Sequence, residues 1–215
     1  PLGWSGISVL GPMARDVEDL ILLLRAVHGG HPDDPLSMSY PADRFDRLPE
    51  RPLNTLRLGY SEDFGGAPVD PDIRATFRNR IEAIAPPVAE CRAVDMALGG
   101  MDRVFDILRA ESFLTAFDGP AREAPELFGA TIHANLDLGR SFTLTDRGWA
   151  HAEQTRILRA FNARMEGLDA ILTPTVPVSP GPWSAPHVTH VDGEEMDIYY
   201  RSLALTYRGS LSGGP

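Results

Sequence analysis

Between Leu56 and Met96 the hydrophobic period changes twice, from alternation to helical spacing and back. "LRLGYS" alternates and runs into a Gly-rich loop. "VDPDIRATFRNRIEAIA" then places Asp70 at a helix N-cap, Pro71 at the first helical position, and Ile73, Phe77, Ile81 and Ile84 along one face. "VAECRAVDM" returns to a short apolar strand. Two strands joined by a helix pair in parallel, and parallel strands need helices over the sheet to keep both faces dry. The stretch therefore predicts an α/β fold, a mixed sheet flanked by helices. No GxGxxG or Walker-type loop interrupts it, so it carries no nucleotide signal.

The flanking segments supply the helices. Asp16 precedes Val17, Leu20, Ile21, Leu24 and Val27, spaced three and four apart, which predicts a capped helix over 16–27 stopped by Gly29 and Gly30. "HPDDPLSMSYPADRFDRLPERP" holds too many prolines for either regular structure and reads as a surface connection. Positions 100–166 are mainly helical in pattern, with Trp149, Ile157, Phe161 and Met165 expected to face inward. After Gly167, "LDAILTPTVPVSPGPWSAP" turns an apolar strand into a stiff proline-rich loop, and a strand end of that kind is a common place for a substrate in α/β proteins.

Charge and residue usage exclude several functions. A net charge of -10 opposes a nucleic-acid partner or a polybasic membrane contact, leaving small molecules or other proteins. No run of eighteen apolar residues occurs and the start resembles no secretory signal, so a cytoplasmic address is expected. The single Cys91 makes no internal disulfide and reads as a structural thiol in a strand. All 20 basic residues are Arg, so a Schiff base, a P-loop lysine and a Ser-Lys nucleophile pair are closed to these 215 residues.

Candidate chemistry is sparse. "HGGHPD" (His28, His31, Asp33) and "HVTHVD" (His187, His190, Asp192) have donor types that bind zinc or iron, but both sit in Gly/Pro-flanked loops where nothing makes them converge. No metal and no organic cofactor is expected. The acid pairs Asp33–Asp34 and Glu194–Glu195 point different ways on an extended backbone and read as solubilising charges. Thr173, Thr175 and Ser179 offer hydroxyls without an adjacent base, and no GxSxG elbow is present.

Four stretches in order, "WSGISVLGPMARDVEDLILLL", "LRLGYSEDFGGAPVDPDIRATF", "LDAILTPTVPVSP" and "HVDGEEMDIYYRSLALTYRGSLSGGP", resemble the C-terminal portion of amidase signature enzymes. The resemblance implies a hydrolase of carboxylic amides whose Ser, second Ser and Lys lie in an upstream half of the fold. No catalytic residue carries over onto this chain, which alone is expected to be inactive and to join the remaining half of the same fold. Thr173, Thr175, Val176 and Pro177, in the loop after the strand, are implied to line the site of a small-molecule amide, the alternative being a turn that merely caps the sheet. The sequence departs from the family pattern at Ser202, where an aromatic is frequent, and at Ser210, where Asn is usual. Two other readings stay open: a glutaminase-type subunit of a tRNA-dependent amidotransferase, and a truncated non-catalytic scaffold. Oligomeric state is silent, and a homo-oligomer is left open.

Overall fold

The computed structural model describes residues 3–8, 11–39, 41–45, 50–185 and 187–213. Positions 40 and 46–49 of the expected surface connection, and 214–215 of the closing motif, lie outside the described residues. The chain divides into two compact units. One holds residues 1–50 and 109–142, the other residues 51–108 and 143–215.

The larger unit is built on the segment that constrains the fold. Strand β1 (Arg57–Tyr60), helix α2 (Pro71–Ile84) and strand β2 (Glu90–Ala93) form the expected unit, with β1 and β2 parallel and Leu58 opposite Cys91. Strand β3 (Ala170–Leu172) pairs in parallel on the other side of β1, giving the order β2-β1-β3. Gly59 occupies the central strand because a Cβ there would stand 2.6 Å from Val94 Cγ2 and 2.8 Å from Leu168 Cδ1. The sheet is parallel throughout. Antiparallel pairing is confined to a separate hairpin, β4 (His190–Val191) and β5 (Glu194–Glu195), turned by Asp192 and Gly193, both at positive φ.

Helices α3 (Met101–Glu123), α5 (Leu144–Met165) and α6 (Ala204–Leu211) complete the unit, α3 contributing its residues to Leu108. α5 begins with a capping box: Thr143 accepts from the Asp146 N–H, and the Asp146 carboxylate accepts from the Thr143 N–H at 2.9 Å. Val69, Met96, Leu98, Val104, Ile157, Tyr200, Leu205 and Leu211 are fully buried and form the core. Two expectations are corrected. Asp70 is the residue before α2, but its side chain makes no cap bond there. Its Oδ1 instead accepts from the Asp192 N–H at 2.6 Å, tying α2 to the hairpin turn. Trp149 is 40% exposed, with the Arg103 guanidinium 5.2 Å above its ring, so it covers α5 from outside.

The smaller unit contains α1 (Val17–Val27), the remainder of α3 and α4 (Ala130–Ser141). Asp16 caps α1 as expected, accepting from the Asp19 N–H at 2.9 Å. α3 and α4 approach closely at Gly139, where a Cβ would meet Leu114 Cγ at 2.8 Å, and Arg140 donates to Asp118 at 2.8 Å beside that contact. No helix among the described residues is long and apolar enough to cross a membrane.

Candidate functional site

The C-terminal end of β3 opens onto a cavity of about 360 Å³ in the larger unit. Its floor is the strand end itself, Ile171, Thr173, Pro174 and Thr175. Phe64 closes it from the loop after β1, Phe161 from α5, and Leu205, Thr206, Gly209, Ser210 and Ser212 from α6 and the residue after it.

The loop after β1 takes an unusual course. Phe64, Gly65 and Gly66 all have positive φ, at 45°, 82° and 97°. Glycine adopts that region freely, whereas a phenylalanine there is strained by roughly 1–3 kcal/mol and is kept in place only by its surroundings. Burial and two hydrogen bonds hold it. The Phe64 ring is 4% exposed. The Asp63 carboxylate accepts from the Gly65 N–H at 3.0 Å. Arg208 Nη1 donates to the Phe64 carbonyl at 3.1 Å.

Arg208 is itself 6% exposed and is neutralised by Asp102, which accepts from Nη2 at 2.9 Å and from Nε at 3.2 Å. Tyr207 donates to the same carboxylate at 2.7 Å and stacks on Phe105 with ring centroids 4.1 Å apart. One turn along α3, Asp106 accepts from both Arg201 terminal nitrogens at 2.7 Å and from the Tyr200 hydroxyl at 2.7 Å. Burial opposes the Arg201 charge, but Asp106 more than offsets it, so the guanidinium holds its proton more tightly than usual. Burial first, and then the Asp102 charge, push the Tyr207 phenol above its ordinary range. These two Asp-Arg-Tyr sets fasten α6, and the 3-10 turn at Tyr199–Leu203 that precedes it, to α3 and so hold the cavity wall.

The residues named from sequence separate by position. Thr173 and Thr175 face the cavity. Thr173 Oγ1 is buried and has no hydrogen-bond partner among the described residues. Val176 is 43% exposed, and Pro177 is fully buried with its carbonyl accepting from the Asp70 N–H at 2.8 Å. Ser179 donates to Asp72 at 3.2 Å and lies in a different depression, beside Trp183.

The histidine patterns remain local. His31 Nδ1 accepts from the Asp33 N–H at 3.2 Å, and His190 Nδ1 lies 3.0 Å from Thr189 Oγ1. His190 belongs to the hairpin rather than to a loop, a correction that the Asp-Gly pair at 192–193 could have signalled. Among the described residues no group of three His, Cys, Asp or Glu is arranged to hold a metal ion. Cys91 is half-buried in β2, and burial raises its thiol pKa, which disfavours the nucleophilic thiolate.

The sequence pattern points neither to Phe64 nor, apart from the departure at Ser210, to the α6 residues as site residues, and it places Phe161 in the core. The glycine pair after Phe64 was the one available local signal, because consecutive glycines mark backbone that other residues avoid.

The chain is similar in sequence and fold to known proteins. The family model described as Amidase matches residues 4–208. An amidase of Pseudomonas putida is 28% identical over 218 residues, an alignment covering 100% of this chain and 46% of that protein. A glutamyl-tRNA(Gln) amidotransferase component from Koribacter versatilis is 26% identical over 199 residues, covering 80% of this chain and 41% of that protein. The fold matches the crystal structure of a bacterial aryl acylamidase of the amidase signature enzymes with a TM-score of 0.81 at 18% identity, over 94% of this chain and 44% of that one. The chain thus spans less than half the length of these relatives.

Proposed function

Because the chain belongs to the amidase family, we propose that it is part of a hydrolase of carboxylic amides and supplies a wall of its substrate cavity. The observation that carries the reading is a cavity of ligand size at the end of β3, with Thr173 on its floor and the buried Thr173 Oγ1 without a partner among the described residues. A buried polar atom without a partner is costly, so rotation of the Thr173 side chain toward a bound amide gains the missing hydrogen bond.

The reaction adds water across a C–N bond: hydroxide joins the acyl carbon to give an acid, and nitrogen leaves with the proton as ammonia or an amine. These 215 residues contain no Lys, so a Ser-Ser-Lys set would come from polypeptide outside them. Their part is to position the substrate, which lowers the barrier by holding the carbonyl in an attackable geometry.

The test is hydrolysis of a panel of simple amides by the full-length protein and its Thr173→Val variant. Acid release by the parent is expected, with kcat/KM lowered about fivefold in the variant, the worth of one net hydrogen bond. No hydrolysis of any amide would overturn the reading.

The match to an amidotransferase component favours a second reading, in which the released ammonia passes to a partner protein. Copurification of the full-length protein with a stable partner, and glutamine hydrolysis that rises when the partner is added, would select it.

A further inference from the structure

We propose that this cavity takes an uncharged, apolar part of the substrate, an aryl or alkyl group, and excludes charged amides such as free glutamine. The inference rests on the amidase reading and specifies its substrate class. None of the described residues lining the cavity has an ionisable side chain. Its apolar walls are two rings, Phe64 and Phe161, with Ile171 and Leu205.

The hydroxyls around it are mostly spent on the protein. Ser212 donates to the Arg208 carbonyl at 3.0 Å, Ser210 to the Thr206 carbonyl at 3.3 Å, and Thr206 to the Leu203 carbonyl at 2.8 Å. The guanidinium behind the wall, on Arg208, is taken up by Asp102 and by the Phe64 carbonyl. A charged group entering would shed its water and meet no counter-charge on these walls, whereas an apolar group would shed water favourably. The buried Thr173 hydroxyl then serves as a polar anchor at the edge of an otherwise apolar pocket. The strained Phe64 closes one side, so its ring limits the size of the group admitted.

Binding of benzamide and of glutamine to the full-length protein, measured by calorimetry, decides the question without requiring turnover. Benzamide should bind at least about tenfold more tightly. Thr206 is exposed and lines the cavity, so Thr206→Asp introduces a charge without disturbing the core. It should weaken benzamide about tenfold while Thr206→Asn leaves binding within about twofold. Equal or tighter glutamine binding, or equal effects of the Asp and Asn variants, would overturn the inference. Failure of the amidase reading looks different: benzamide binds with this selectivity, yet no amide is hydrolysed.

Discussion

The Arg208 guanidinium meets the Asp102 carboxylate at 2.9 Å, in an arginine that is only 6% exposed and also donates to the Phe64 carbonyl. One side chain therefore connects α6, the start of α3 and the strained loop that closes the cavity. Removing it takes the side-chain donor from the Phe64 carbonyl and leaves the Asp102 carboxylate without its counter-charge, still accepting from the Tyr207 hydroxyl. The Asp102 side chain is 41% exposed and can rehydrate, so Arg208→Met should cost about 2 kcal/mol, below the range for a fully buried pair. In urea denaturation the Asp102→Asn and Arg208→Met losses should be clearly less than additive when combined. Additive losses would show that the two groups act separately.

The glycine pair gives a sharper contrast. A Cβ on Gly65 would run into the Met96 carbonyl, whereas one on Gly66 meets nothing within 4 Å. Both have positive φ. Gly66→Ala should cost only the left-handed backbone penalty, about 1–2 kcal/mol. Gly65→Ala should cost more than about 3 kcal/mol, because backbone must move as well. Thermal melts of the two variants check the order, and equal melting temperatures would contradict the loop geometry.

Acid should weaken the join between α5 and the loop before α3. The Arg156 hydrogen bond holds the Glu153 carboxyl below its usual 4.5, against the opposing effect of burial, and the Gly100 N–H reinforces it. A depressed carboxyl stabilises the fold above its unfolded value and loses that contribution as pH falls through the lower folded value. Wild-type stability should therefore fall below about pH 4.5 more steeply than that of Glu153→Gln. Parallel acid limbs in thermal melts would rule out this linkage.

At the alkaline end the sign is reversed. The Tyr207 phenol is raised above its usual 10, first by burial and then by Asp102, so its neutral form is favoured in the folded state. That contribution is complete below about pH 10 and is lost as pH rises further. Tyr207→Phe should be less stable at neutral pH, having lost the bond to Asp102, yet show a shallower decline above pH 10. A decline as steep as the wild type's would exclude Tyr207 as its source.

The start of α5 offers a local test. Thr143→Ala removes the acceptor for the Asp146 N–H and should cost about 1 kcal/mol, while Thr143→Ser should be nearly neutral. Loss of stability in the serine variant equal to that in alanine would mean the hydroxyl is not the cap.

Elements governed by neighbours three or four positions away were legible in the chain. The 16–27 pattern became a helix capped by Asp16, and the β-α-β reading of 56–96 became β1, α2 and β2 in parallel register. Side chains that answer to distant partners were not. Asp70 stood where a cap belongs, yet its carboxylate bonds to an amide 122 positions away. Trp149 obeyed the helical period but met a guanidinium at the surface.

The 215 residues by themselves determined the α/β class, the resemblance to amidases, and the exclusion of lysine chemistry within this stretch, since periodicity, motif order and residue counts are properties of the chain alone. Only the tertiary structure decided the cavity. Its walls come from Phe64, Phe161, the β3 end and α6, segments brought together by parallel strand pairing and by the Asp102–Arg208 and Asp106–Arg201 pairs. Those contacts depend on packing and dehydration between groups about a hundred positions apart in sequence, for which local pattern carries no signal.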